Sequence, residues 1–293
     1  MVKNTVPEYM LPKNDHIFKR LFGYEGNENI TKNLVSNIIG EEIKTLEFKN
    51  PYLLRESKND KEEILDIKAE LNNNIQCDIE MQIGNYHDLE KRILDSWAKI
   101  YRQSIGKSKK YIDMKKTIVI FITTFDVDSL KGLKQYWTKW GIFEENLQIK
   151  LTDIFEVDII ELSKAKRLLK IGTFNGTEEL KDFRNWVKFL INPQFMEETK
   201  MEDVNEEIKK AYEIWQDLTK SNEEREAAER RFMNLGSLEY AKKYEYDLGK
   251  AEGRTEGEKK KQKEIAKKLL EKQMKIEDIV EITGLTKEEI QEL

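Results

Sequence analysis

The stretch DIKAELNNNIQCDIEMQ, residues 66–82, restricts the possible folds of this chain more than any other segment. Odd positions on either side of the NNN run are apolar or small, and even positions are polar. Because side chains alternate between the two faces of a strand, this pattern predicts two antiparallel strands with one buried face. The three asparagines predict the turn, since Asn tolerates the left-handed conformation that such turns need. This turn pairs residues whose numbers add up to 146.

The even positions of this hairpin form a polar face on which one pair is unfavourable. Lys68 faces Asp78, but Asp66 faces Glu80, and two carboxylates with Cβ atoms about 5 Å apart destabilise a hairpin. A Mg²⁺ ion would compensate, because it binds one or two carboxylates, keeps several waters and can hold a substrate phosphate. Gln82 follows on the same face and can orient the attacking water or hold a phosphate oxygen. The alternative is a solvated strand face with its acidic side chains extended into water.

Predicted helices and strands alternate along roughly the first 200 residues. Two short helices, NDHIFKRLFG and ENITKNLVSNIIG, precede a strand at 43–48 and the hairpin. A long amphipathic helix in YHDLEKRILDSWAKIYRQSIG leads to a buried strand, TIVIFITTF, and then to a loop that contains Trp137 and Trp140. One or two strands in LQIKLTDIFEVDIIEL and a helix in NWVKFLINP complete the order. This order predicts an α/β or α+β fold with helices against one mixed sheet.

The composition changes near residue 200. Residues 201–272 are predicted to form a charged helical segment or linker, interrupted by Gly236, Gly249, Gly253 and Gly257. The stripe Ile208, Ala211, Trp215 and Leu218 predicts a surface for a partner helix, so we expect homo-oligomers formed through the C-terminal helices. Residues 273–293 predict a small helical hairpin.

The second helix of this hairpin begins with a capping box, Thr286 and Glu289. Its glutamates would repel phosphates, which favours packing or self-association over DNA binding there.

Basic side chains concentrate in and just after the long helix. The formal net charge of -5 gives no overall attraction to nucleic acid, so a nucleic-acid partner needs a local basic surface. Interleaved aromatic residues make this region suitable for following a DNA backbone. The alternative is an ordinary solvated charged face. The predicted DNA-binding residues are Arg92, Lys99, Arg102, Lys107, Lys109 and Lys110, with Lys115 and Lys116 next to them.

Several other classes of protein and site are disfavoured. The single cysteine, Cys77, falls on the apolar face of the hairpin, which indicates core packing and a reducing compartment. Two histidines, His16 and His87, are too few for a zinc site, and no Gly-rich phosphate loop is present. No apolar run approaches the roughly 18 residues of a membrane span, and the N-terminus lacks a signal-peptide core. We therefore expect a cytoplasmic protein without a membrane partner.

Three segments, in this order, resemble one nuclease family. NDHIFKRLFG, LDIKAELNNNIQCDIEMQ and KRILDSWAKIYRQSIGKSKKYIDMKKTIVIFI, followed by an EG-rich tail with ITGLTKEEIQEL, are similar to the recombination-promoting nuclease or putative transposase group of the PD-(D/E)XK superfamily. The resemblance extends from Pro12 to the C-terminus and is loosest over 126–200. It implies a restriction-endonuclease-like mixed central sheet flanked by helices, followed by an α-helical C-terminal tail, with residues 1–200 as the nuclease-like domain.

The resemblance also implies a function and a set of site residues. The expected activity is that of a bacterial, magnesium-dependent DNA endonuclease, with Mn²⁺ as a possible substitute, associated with recombination or mobile elements. Asp66 and Glu80 take the positions of the metal-binding residues, and Asp15 matches an acidic position in the first helix. Gln82 stands where the wider superfamily has a catalytic Lys, and Gln cannot supply that positive charge. Lys68 is a candidate to supply it, although its pairing with Asp78 is also consistent with a structural role.

A rival interpretation comes from another class of function. The chain would then be a catalytically inactive DNA-binding or assembly protein that retains the nuclease fold. Metal binding that depends on Asp66 distinguishes the two interpretations.

Overall fold

The computed structural model describes residues 6–49, 66–85, 87–103, 110–174, 180–196, 204–272 and 274–291. The chain divides into two compact units, Met1–Leu235 and Gly236–Leu293. The first unit contains the sheet and the predicted site, and the second unit is helical.

The first unit is organised around a six-stranded mixed sheet. Its strands are β1 (Leu46–Phe48), β2 (Asp66–Leu71), β3 (Ile75–Gln82), β4 (Lys116–Thr123), β5 (Trp137–Phe143) and β6 (Lys150–Glu161). They lie in the order β1-β2-β3-β4-β6-β5. The pairs β3–β4 and β4–β6 are parallel, and the other three pairs are antiparallel. The predicted mixed sheet with flanking helices is confirmed.

Helices cover this sheet, and their ends follow from local side-chain chemistry. They are α1 (Asp15–Phe22), α2 (Glu28–Ile39), α3 (Leu89–Gln103), α4 (Leu162–Lys170), α5 (Lys181–Ile191) and α6 (Glu206–Lys220). Helix α7 (Asn222–Glu271) follows, and its residues up to 235 belong to the first unit. Asn14 caps α1, because its side-chain oxygen accepts from the backbone N–H groups of His16 and Ile17. Gly40 ends α2 in the left-handed conformation, with φ 74°.

The two faces of the sheet carry separate apolar cores. Odd positions of β2 and β3, such as Ile67 and Ile79, share a core with α1, α2, α5 and α6. On the other face, Leu89, Ile93 and Ile100 of α3 join a core that includes Val119 and Phe121 of β4. Helix α3 connects β3 to the parallel strand β4, so the chain itself brings this helix over the face that carries the even positions of β3.

The second unit is a small helical cluster. Helices α8 (Ile276–Thr283) and α9 (Lys287–Gln291) follow the last part of α7, and the buried side chains of Ala266, Ile279, Leu285 and Ile290 form its core. Gly284 ends α8 with φ 71°. The predicted capping box is confirmed: the Glu289 amide donates to Thr286 Oγ1 over 3.2 Å, and the Thr286 amide donates to Glu289 Oε2 over 3.1 Å.

Three expectations from the sequence differ from the structure. The predicted loop around Trp137 and Trp140 is the edge strand β5, because its aromatic and β-branched residues pair with β6. Helix α7 continues through the glycines at 236–257, because strong helix formers around them offset the cost of about 1 kcal/mol per Gly.

The third difference concerns α6, which composition places in the linker of 201–272. The structure buries Ile208, Ala211, Trp215 and Leu218 in the core of the first unit, instead of leaving a partner-helix surface. Oligomerisation through the C-terminal helices stays a prediction. Among the described helices, none is long and apolar enough to cross a membrane.

Candidate active site

The hairpin of β2 and β3 has the predicted register. Asp66 pairs with Glu80, Lys68 with Asp78 and Ala69 with Cys77. Asn72 and Asn73 adopt positive φ angles of 49° and 61°, as the turn requires. The side-chain oxygen of Asn72 also accepts from the backbone N–H groups of Lys44 and Thr45, which ties the turn to the segment leading into β1. The register is therefore fixed by both the turn and the buried face.

Glu80 is buried and held by two hydrogen bonds. Its side chain is 7% exposed. The Ser96 hydroxyl donates to Oε1 over 2.7 Å, and the Gln82 amide donates to Oε2 over 2.9 Å. A buried carboxylate is costly unless such donors or a cation compensate, so both of its oxygens are fixed in position.

Gln82 connects Glu80 to the helix above it. Its side chain is 4% exposed, and its Oε1 accepts a 3.0 Å hydrogen bond from Arg92 Nη1. Arg92 and Ser96 are four residues apart on α3, so both extend from the same side of this helix. They are also partly exposed, unlike Glu80 and Gln82. The four side chains form one continuous chain of hydrogen bonds.

Helix α3 is anchored so that Arg92 and Ser96 face the hairpin. Its apolar residues pack on β4, and the Trp97 indole N–H donates to the Thr117 backbone oxygen over 3.1 Å. Trp97 also stacks on Tyr101, with ring centroids 4.5 Å apart. These contacts fix the rotation of the helix about its axis.

Asp78 and Asp66 lie on the same polar face of the hairpin as Glu80. Asp78 is 1% exposed and lies opposite Lys68, which is partly buried. The backbone of Asp66 lies opposite Glu80, whereas its side chain is outside the described part of the structure. The roles of Asp66 and Lys68 stay predictions.

Asp15 lies in a different environment. It begins α1, which packs on the opposite face of the sheet, and it is 3% exposed. Its Oδ2 accepts from Arg231 Nε over 2.8 Å, and Lys19 Nζ lies 3.8 Å from its Oδ1. These contacts join α1 to α7, and a catalytic role for Asp15 stays a prediction.

The predicted DNA-binding residues differ in their exposure and in their contacts. Lys99 is exposed and lies 2.5 Å from Asp95, and Arg102 and Lys110 are exposed, whereas Arg92 is in the site. Lys107 and Lys109 lie outside the described residues. Of their neighbours, Lys116 lies 3.0 Å from Glu156, and Lys115 donates to Glu70. The hydrogen bond from Lys115, with a second from Lys49, lowers the pKa of Glu70 to about 2.

Cys77 and the histidines do not add to the site. Cys77 is buried in the apolar core, as predicted, and burial raises the pKa of its thiol, which keeps it unreactive. His16 Nε2 lies 2.6 Å from Glu224, and His87 Nδ1 lies 2.5 Å from Asp128.

The donor atoms around Glu80 fit a hard divalent cation. Within the described ranges, no group of three or more His, Cys, Asp or Glu side chains could hold a metal. Mg²⁺ does not need such a group, because one or two carboxylates suffice when water and substrate phosphate complete the shell. Glu80 supplies a fixed carboxylate, and the register places Asp66 directly across from it. This pair of positions fits Mg²⁺ better than it fits zinc, which takes three or four protein ligands.

Sequence reasoning missed Ser96 and the position of Arg92. Ser96 continues the spacing of the apolar stripe Leu89, Ile93 and Ile100, so a hydroxyl occupied a position where the pattern predicts an apolar side chain. That polar interruption was the available signal. Arg92 is next to other basic residues in the sequence, and nothing local links it to the hairpin, which it contacts through Gln82.

Comparison with known proteins shows the family of this chain. A family model described as PD-(D/E)XK nuclease family transposase matches residues 12–244, which includes the sheet, the candidate site and most of the described helices. Searches of curated proteins and of solved structures found no match. Because the family model covers most of the chain, this protein belongs to the PD-(D/E)XK nuclease family of transposases.

Proposed function

We propose that this protein is a magnesium-dependent DNA endonuclease, with Mn²⁺ as a substitute, that acts in recombination or in the movement of mobile elements. The observation that carries the proposal is the buried Glu80 carboxylate, held by Ser96 and Gln82 directly across the hairpin from Asp66. The family supports this reaction class, since its description names a nuclease family of transposases.

Asp66 and Glu80 would hold the cation through their carboxylate oxygens. A Mg²⁺ ion held there would polarise the phosphodiester and lower the pKa of a water molecule. In the reaction a water molecule loses a proton to solvent as its oxygen forms a bond to phosphorus. The bond from phosphorus to one sugar oxygen breaks, and that sugar oxygen takes up a proton from solvent. Ser96 and Gln82 keep Glu80 in one rotamer, so the site does not have to reorganise when DNA arrives.

The six predicted DNA-binding residues, on α3 and in the segment after it, would bind the DNA backbone. Arg92 reaches the site itself, whereas Lys99, Arg102 and Lys110 are exposed and can contact phosphates on either side of it. Lys107 and Lys109 are proposed members of the same surface. Such contacts supply affinity without sequence preference, so we expect binding to weaken steeply as the salt concentration rises.

The test is cleavage of supercoiled plasmid in Mg²⁺, Mn²⁺ or Ca²⁺ by the parent, Asp66→Asn and Glu80→Gln. Asp153→Asn is the matched control, because Asp153 is exposed and lies 2.6 Å from Lys150, on the far strand β6. We expect nicking or linearisation by the parent and the control in Mg²⁺ and Mn²⁺, and none by the two site variants.

Calorimetric titration with Mg²⁺ supplies a readout that is independent of cleavage. The parent and Asp153→Asn should bind the ion, and Glu80→Gln should not. If folded parent protein binds Mg²⁺ no better than Glu80→Gln and leaves DNA intact, the endonuclease proposal fails and the DNA-binding or assembly function replaces it.

A further inference from the structure

The amide of Gln82 has one possible orientation in the site. The Arg92 guanidinium only donates hydrogen bonds, whereas the Glu80 carboxylate oxygens can accept them. The Gln82 side chain lies between these two groups, 2.9 Å from Glu80 Oε2 and 3.0 Å from Arg92 Nη1. Its NH₂ group must therefore face Glu80 and its oxygen must face Arg92.

A lysine at position 82 would not fit beside Arg92. An ammonium has three donors and no acceptor, so it could bond to Glu80 but would leave Arg92 without the oxygen it contacts. It would also add a second positive charge next to that of Arg92. Position 82 and Arg92 are thus chemically linked: a neutral residue that both donates and accepts suits an arginine in the neighbouring helix.

The charge balance of the site points to the function of this arginine. Phosphodiester hydrolysis develops negative charge in its transition state, and the acidic positions of the hairpin add to it. Arg92 is partly exposed and extends from α3 over the end of β3, so its charge lies beside Glu80 and Gln82. A guanidinium has five N–H donors in a planar fork, so a contact with Gln82 is compatible with contacts to phosphate oxygens.

We propose that Arg92 contacts the scissile phosphate and carries the positive charge of this active site, with Gln82 as its positioning residue. The inference rests on the proposed endonuclease function and adds a residue with a specific role to it. Lys68 is the rival source of charge. The register places it opposite Asp78 on the strands, whereas Arg92 contacts the residue that orients Glu80.

The experiment measures single-turnover cleavage of duplex DNA at saturating enzyme and Mg²⁺, with DNA affinity measured separately in Ca²⁺. Arg92→Gln should slow cleavage by about 10²- to 10³-fold, the usual loss for one donor to a developing charge, and change affinity by less than about threefold. Arg92→Lys should retain more activity than Arg92→Gln, because it keeps the charge and loses the fork. Lys91→Gln is the control, since Lys91 is an exposed cation on the same helix, and it should cleave at the parental rate.

A charge swap separates contact with phosphate from support of Gln82. In Gln82→Lys/Arg92→Gln the cation moves to the strand and the amide to the helix, so the site regains one donor-acceptor partner and one charge. We expect this double variant to cleave at least tenfold faster than Arg92→Gln. If Arg92 only supports Gln82, the double variant should show no recovery, because Gln82 is absent from it.

Each outcome decides between the proposals. Parental cleavage by Arg92→Gln, or a large loss in Lys68→Gln without one in Arg92→Gln, overturns the role of Arg92 and leaves the endonuclease standing. Absence of recovery in the double variant, with folding verified by its melting curve, also overturns it. A folded parent that cleaves no DNA overturns both proposals together.

Discussion

Replacing Trp215 by alanine tests whether α6 belongs to the core or forms a partner surface. Trp215 is 3% exposed, and its indole N–H donates over 2.8 Å to the backbone oxygen of Met10, which is itself fully buried. Its ring lies 5.6 Å from that of Tyr212. The substitution removes the largest side chain of the stripe and the donor for a buried carbonyl in one step.

The expected cost follows from these contacts. Truncating a buried Trp to Ala costs about 3–5 kcal/mol, and the carbonyl left without its donor places Trp215→Ala near the upper end. For a unit of this size, 1 kcal/mol lowers the melting temperature by about 2–4 °C, so the variant should melt about 10–20 °C below the parent.

Trp140→Ala is the matched control for this measurement. Trp140 is 43% exposed on the edge strand β5, and its indole bonds to the neighbouring Thr138 hydroxyl. Its loss should cost about 1 kcal/mol or less, because surface substitutions have small effects. Thermal unfolding followed by circular dichroism gives both values, and sedimentation gives the mass of each variant in solution.

The opposite pattern of stability and mass would show that α6 contacts a partner. If both variants melt at the same temperature, and only Trp215→Ala forms a smaller assembly in solution than the parent, then the stripe is a partner surface and Trp215 is not buried against Met10.

Three further predictions concern the site, a buried acid and the hairpin turn. Mg²⁺ at ten times its dissociation constant should stabilise the parent by about 1.4 kcal/mol and leave Glu80→Gln unchanged, as thermal unfolding with and without the ion will show. Burial raises the pKa of Asp158 to about 7, so the native state keeps a proton that the unfolded state releases above pH 4, and the stability of the parent falls as the pH rises to 7. Asp158→Asn lacks this proton, so its free energy of unfolding should rise relative to that of the parent between pH 4 and pH 7 in urea titrations. A constant difference between the two proteins would contradict the prediction. Asn72→Ala should cost about 1–3 kcal/mol in the same titrations and Asn72→Gly less, because only the alanine adds left-handed strain to the lost hydrogen bonds.

The hairpin could be predicted in detail because its information is local. The alternation of residues 67–81 and the three-asparagine turn fix both the faces and the register, and the observed pairing of Asp66 with Glu80 agrees. The mixed sheet and the capping box at Thr286 were predictable for the same reason, since periodicity and capping depend on neighbours within a few residues.

The contacts of the site depend on a helix whose rotation the sequence does not specify. Arg92 and Ser96 were visible as a basic and a polar residue, but their meeting with Gln82 and Glu80 depends on how α3 packs on β4. Composition failed at α6 for a related reason. Its many charges indicate a solvated helix, while the four buried residues that attach it to the core are a small part of its length.

The hydrogen bond between Trp215 and Met10 joins residues 205 positions apart, and this separation sets a time scale during synthesis. A ribosome adds about 5–20 residues per second, so roughly 10–40 s pass between the synthesis of Met10 and that of Trp215. The donors to Glu80 and Gln82, by contrast, lie within 16 residues of their acceptors. The strands and helix of the site thus emerge together, well before the core beneath them can close.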